Sequence, residues 1–138
     1  MIILDTNVLS VLMHPTPDMR VVAWLNRQPR PSIWTTSITI FEVRFGLQSM
    51  PAGKRRSALT QAFESTLSDL DQRIADFDAA AASYAGELMA SRQKSDRSGD
   101  LRDTMIAGIV IARYATLATR NTAHFSDVPA TIVDPWNA

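Results

Sequence analysis

Short apolar runs alternate with helix-length patterns along the whole of this 138-residue chain. Residues 2–5, 33–36, 74–77, 115–119 and 131–133 have the length and bulk of buried strands. Between them the apolar spacing predicts helices over 7–13, from Asp18 to 25 or 26, from a cap at Ser37 to about 47, over 54–67, from a cap at Asp78 to about 92, and over 103–113. In the 54–67 segment Leu59, Phe63 and Leu67 step by four. Residues 93–99 read as a polar loop, and 122–125 as at most one helical turn. This order predicts an α/β fold. A central parallel sheet of about five strands would carry helices on both faces, within a single domain spanning 1–138.

Composition removes several function classes. An apolar fraction of 46% supplies a real core, yet no run approaches the roughly 18 apolar residues of a membrane span. Met1 leads straight into the first strand pattern, which leaves no room for a signal peptide. The absence of cysteine excludes disulfides and thiolate zinc sites, and it fits a reducing cytoplasm. With 14 basic and 14 acidic residues, the composition argues against holding nucleic acid by bulk charge and leaves open a mixed surface, an acidic site offset by a basic rim. Neither G-x-G-x-x-G nor G-x-x-x-x-G-K-[ST] occurs, nor H-E-x-x-H, nor G-x-S-x-G.

What remains is carboxylate chemistry. Open parallel sheets bind ligands beyond the carboxyl ends of their strands. Asp5 ends the first apolar run, Glu42 lies in the helix after the second, and Asn121 stands two residues past the fourth. Asp103 opens the helix that leads into that fourth strand. Ile38, Phe41, Glu42 and Phe45 recur at i, i+3, i+4 and i+7, which puts Glu42 on an apolar stripe; Asp103, Ile106, Ala107 and Val110 repeat the spacing.

A buried, unpaired carboxylate costs several kcal/mol or more unless it is paired or bound to a metal. Each acid also has a purely structural reading. Glu42 can pair with Arg44 or another arginine, Asp5 can cap the next helix, and Asp103 can sit in a first turn, where the dipole favours it by roughly 0.3–1 kcal/mol. Asp100 reads as a helix cap. If the three acids share a site, a hard cation such as Mg²⁺ or Mn²⁺ is its simplest occupant. It would activate water against a phosphodiester and offset charge on the leaving oxygen. The Thr6 hydroxyl could orient Asp5 or a water, and His124 could face the site. His14 reads as solvated, and Trp24, Trp34 and Trp136 as core or interface anchors. Lys54-Arg55-Arg56 is either a phosphate grip or a solvated face.

The motifs form a recognisable series. Leu4-Asp5-Thr6-Asn7-Val8-Leu9, the stretch 37–46 with Glu42, Asp103-Thr104-Met105-Ile106-Ala107, Ala118-Thr119-Arg120-Asn121 and the closing Val133-Asp134-Pro135-Trp136 follow in order. In this the chain resembles PIN domains, in particular the VapC and FitB-like bacterial toxins. The resemblance implies a PIN fold and a Mg²⁺- or Mn²⁺-dependent endoribonuclease, the toxin of a type II toxin–antitoxin pair. It places Asp5, Glu42 and Asp103 on metal-binding positions and Thr6, Ser37 and Thr119 on hydroxyls lining the site.

Asn121 falls on the family's fourth acidic position. A neutral amide there can ligate a metal and act as a polar helper in catalysis beside the three acids, but it adds no charge, which leaves the count of metals at one or two open. The resemblance further implies an RNA substrate, a homodimer, and a small VapB/FitA-like antitoxin whose C-terminal segment covers the groove. The helices over 18–25 and 54–67 carry apolar residues enough to meet such a partner. A different reading is a PIN module that binds RNA or protein without cutting, its site diluted by Asn121.

Overall fold

The computed structural model, which describes residues 1–97 and 99–138, starts with β1 (Ile2–Leu4) and α1 (Thr6–Met13). α2 (Met19–Asn26), β2 (Ile33–Thr36), α3 (Ser37–Ser49), α4 (Lys54–Leu70) and β3 (Ile74–Ala75) follow. The chain then runs through α5 (Ala79–Lys94), α6 (Leu101–Ala112), β4 (Thr116–Ala118), a 3₁₀ turn at Thr122–Phe125, and β5 (Ile132–Val133). Among the described residues the strands form one parallel sheet in the order β3-β2-β1-β4-β5. β1 is central. It pairs Ile3 with Trp34 on one side and with Leu117 on the other. The chain winds outward from β1 to β3, then returns to lay β4 on β1's free edge. The gap beyond β1 and β4 is thus the topological switch point where such sheets open a crevice.

Alternation along β1 divides the core in two. Ile3 and Leu4 are both fully buried, on opposite faces. Leu4 joins Val8 and Leu9 of α1, Val21 and Trp24 of α2, Val43 and Leu47 of α3, Phe63 of α4, and Trp136. Ile3 joins Ala81 and Leu88 of α5 and Ile106, Ile109 and Val110 of α6. The α5–α6 crossing is close because small residues meet there. A Cβ on Gly108 would lie 2.4 Å from the Ala81 carbonyl oxygen and 2.9 Å from the Ala85 Cβ.

Several expected boundaries move, each for a local reason. The third strand stops at Ala75 rather than residue 77, because the Phe77 amide donates to the Ser37 hydroxyl and the Asp78 amide turns back to the Asp76 carbonyl. Ser37 does not cap α3. Thr36 does, its hydroxyl accepting the Thr39 amide at 3.0 Å. α6 begins at Leu101, since the Asp100 carboxylate accepts the Arg102 and Asp103 amides. Helix α4 continues to Leu70, and α5 takes in Gln93 and Lys94, so the polar loop starts at Ser95; its Ser98 lies outside the described residues.

The stripe drawn for α3 also needs correcting. Its buried face is Thr39, Val43 and Leu47, whereas Phe41 and Phe45 are 57% and 61% exposed and stack on each other. This stretch is apolar on nearly every side, so periodicity alone does not select the face that packs. The Thr36–Thr39 cap and the Val43 contact do. Glu42 therefore stands at the border of the two faces.

Candidate active site

Asp5 is fixed by the end of β1. Its amide donates to the Ala118 carbonyl at 2.9 Å, and its own carbonyl accepts the Val8 and Leu9 amides that start α1. The side chain then has nowhere to go but the crevice. One carboxylate oxygen accepts the Thr6 amide at 2.8 Å; the other accepts the Thr119 hydroxyl at 2.7 Å and the Asn7 amide nitrogen at 3.3 Å. Asp5 is only 3% exposed. Burial pushes its carboxyl above the ordinary value. The Thr119 and Thr6 hydrogen bonds oppose that shift, Asp103 adds to it, and His124 works against it.

Glu42 reaches the same crevice from α3. Its carboxylate accepts the Thr6 hydroxyl at 3.0 Å, and Thr6 stands 3.1 Å from the Thr39 hydroxyl, which also contacts Thr36 at 3.3 Å. Burial again raises the carboxyl. The Thr6 hydrogen bond and Arg102 lower it, while Asp5 and Asp103 raise it. The Arg102 guanidinium lies 4.0 Å from Glu42. Arg44, the neighbour in sequence, pairs with Glu64 instead and lies over the Phe63 ring.

Asp103 enters from the opposite core layer. Asp100 caps α6 and sets Asp103 in the first turn, where the helix dipole favours a negative charge. Its carboxylate meets the His124 Nδ1 at 3.2 Å. Ile106, Ala107 and Val110 on its stripe are fully buried, as the spacing predicts.

Asp5 and Glu42 thus share Thr6, its amide on one and its hydroxyl on the other, and Asp103 lies near enough to raise both carboxyls. All their oxygens are hard donors, the set a small divalent cation prefers. The buried Asp5 carboxylate has only neutral hydrogen-bond partners, so a cation fits the charge left uncompensated. The grip is not closed. Among the described residues no three acidic or histidine side chains already meet around one ion position. Instead Glu42 leans to Arg102, and Asp103 to His124.

Of the hydroxyls expected at the site, Thr6 and Thr119 touch the acids directly, while the Ser37 hydroxyl accepts the Phe77 amide. Asn121 is held at the rim by its backbone, its amide donating to the Thr119 hydroxyl at 3.1 Å. Its exposed side chain makes no hydrogen bond to the three acids.

Other residues are also present. Asn7 bridges β1 to β4: it donates to Asp5 and Thr119 and accepts the Arg120 amide. Its place two residues after Asp5 was the available signal. Thr36 and Thr39 carry the cap-to-third-residue spacing of a helix start, which could have pointed to them. Arg102 had no sequence signal. Lys54 and Arg55 line a groove with Leu12, Met13, His14 and Pro15, at the far end of α1 from Asp5. Among the described residues no helix is long and apolar enough to cross a membrane.

Known proteins match over this whole architecture. The PIN domain family profile matches residues 2–130. The VapC ribonuclease Y4jK of Sinorhizobium fredii is 38% identical over 137 residues, 99% of this chain and 98% of that protein. The tRNA(fMet)-specific endonuclease VapC of Shigella flexneri is 28% identical over 134 residues, 97% of this chain and 96% of that protein. The crystal structure of FitAcB from Neisseria gonorrhoeae superposes with a TM-score of 0.90 at 31% identity, covering 100% of both chains.

Proposed function

This chain belongs to the PIN domain family, in its VapC-like toxin branch, and from that premise we propose that it is a Mg²⁺- or Mn²⁺-dependent endoribonuclease, the toxin of a type II toxin–antitoxin pair. One observation carries the metal reading. Asp5 is a buried carboxylate with only neutral hydrogen-bond partners, and it faces two further acids brought in from opposite layers of the fold.

Asp5, Glu42 and Asp103 would hold the cation. When bound, it supplies Lewis acidity, lowering the pKa of water and offsetting charge on the phosphodiester. The chain's own groups do the rest. Thr119, Asn7 and the Thr6 amide fix the rotamer of Asp5. The Thr6 hydroxyl aims Glu42 inward, backed by Thr39. Arg102 beside Glu42 and His124 beside Asp103 put a guanidinium and an imidazole at the rim. Guanidinium suits a phosphate oxygen.

Relatives named as VapC ribonuclease and as tRNA(fMet)-specific endonuclease support RNA as the substrate class. Solved complexes such as FitAB support an antitoxin partner, and we propose that the chain works as a homodimer with a small antitoxin whose C-terminal segment covers the crevice. The stacked Phe41–Phe45 pair beside Glu42 offers such a segment an apolar ledge.

The test uses purified chain free of any antitoxin, incubated with structured RNA and Mn²⁺, with and without chelator, beside an Asp5→Asn control. Cutting that needs the metal and Asp5 is expected. Cutting that survives chelator, or is equal in the control, removes the reading. No cutting at any Mn²⁺ concentration turns it to a module that binds without hydrolysis, the outcome that the neutral Asn121 favours.

A further inference from the structure

Arg92, in the last turn of α5, is 3% exposed, and the acid chemistry above does not use it. Its guanidinium makes four hydrogen bonds to described residues. Nε and Nη2 clamp the Asp127 carboxylate at 2.8 and 2.9 Å; Nη2 also donates to the His124 carbonyl at 2.9 Å, and Nη1 to the Thr104 hydroxyl at 2.9 Å. Thr104 follows Asp103, and its hydroxyl donates in turn to the Asp100 carbonyl at 3.0 Å, within the cap of α6. One planar group therefore ties the first turn of α6 to the 3₁₀ turn that carries His124.

These are the two elements whose side chains meet at the Asp103–His124 contact. Gly99 leaves the guanidinium its place, since a Cβ there would lie 2.8 Å from Nη1. Arg97 adds a second strap to the same turn, donating to the Ala123 carbonyl at 2.8 Å and to the Ser126 hydroxyl at 3.1 Å. Arg92, Arg97, Asp103 and His124 thereby line a hollow of about 170 Å³ at the edge of the crevice.

Stability alone does not account for this arrangement. The Arg92–Asp127 pair is buried on the arginine side alone, with the Asp127 side chain 26% exposed, and a partly solvated pair adds little to stability by charge alone. An apolar pair cannot reproduce directional bonds to two separate elements, which the rigid guanidinium fork supplies. We propose that Arg92 is a positioning residue that sets Asp103 and His124 against each other and so presents Asp103 to the acidic crevice. The positional claim stands on the bonds above; its consequence for a bound cation rests on the proposed function.

The experiment compares wild type with Arg92→Met/Asp127→Leu, which removes the ion pair as a whole, and with Arg92→Lys, which keeps the charge but not the fork. Two readouts are taken on full-length protein. The first is metal-free NMR: the Overhauser contact between the His124 ring and the Asp103 side chain, and the relaxation of that ring. The second is Mn²⁺ affinity by calorimetry. In the double variant, cooperative unfolding persists, the contact disappears, the ring relaxes faster, and Mn²⁺ binds about tenfold or more weakly, the range commanded by groups that orient metal ligands. Arg92→Lys behaves the same way and decides the matter if the double variant does not fold. A folded variant that keeps both the contact and the affinity overturns the proposal. Wild type that binds no Mn²⁺ removes the metal reading instead, and the NMR arm still decides the role of Arg92.

Discussion

At the scale of single residues, Asp5 shows the tension most plainly, because its hydrogen bonds favour the charged form and its burial opposes it. Burial wins, for Asp5 and for Glu42, whose carboxyls rise above 3.8 and 4.5. A carboxyl raised in the folded state favours folding while protonated. Its share of stability is whole below about pH 4 and is lost as pH climbs through the raised value. In chelator, Asp5→Asn should therefore gain on wild type in melting temperature between about pH 4 and pH 7, with the largest gap at the neutral end. Parallel curves would show that Asp5 carries no such burden. Asp18 and Asp127, both lowered, act in the other direction but equally in both proteins. The acids were legible in the sequence because Asp5 ends an apolar run, Glu42 interrupts one and Asp103 opens one. Arg102 was not, since its role comes from a contact with Glu42 that only the fold creates.

At the scale of elements, alternating buried runs reveal β1, β2 and β4, but they cannot say which side of an all-apolar helix packs. In α3 the stripe that carries Phe41 and Phe45 leaves both rings exposed, and Thr39, Val43 and Leu47 pack instead. The α5–α6 crossing was likewise hidden, because Gly108 matters only through Ala81 and Ala85 on another helix. Gly108→Ala forces the helices apart and should cost about 1–3 kcal/mol, read as a lower denaturation midpoint at unchanged slope. The end of α6 carries the opposite opportunity. Tyr114 holds a left-handed φ of 52° while 94% exposed, in the position after the C-cap where glycine is usual. Tyr114→Gly should stabilise the chain by about 1 kcal/mol. An unchanged midpoint would mean that the ring makes contacts offsetting its backbone strain.

For the whole molecule, the two core layers share little but the sheet, and the crevice lies at their seam. Glu42 comes from the α1–α4 layer, Asp103 from the α5–α6 layer, and Asp5 from the strand between them. The proposed cation would staple the layers together. Added at 100 times its Kd, Mn²⁺ should contribute about 2.7 kcal/mol. Hydrogen exchange should slow at the N-terminal turns of α3 and α6 together; slowing at one alone argues against a shared ion. The bare Phe41–Phe45 pair matters on a larger scale still. Formal charge is zero and the isoelectric point is about 6.7, so little repulsion keeps separate copies of this chain apart near neutrality. Left without a cover, the chain should be lost to association before it is lost to unfolding. Turbidity should grow fastest near that isoelectric point and fall in Phe41→Ser/Phe45→Ser while the melting temperature stays put, so the exposed pair limits how concentrated the free chain can be kept.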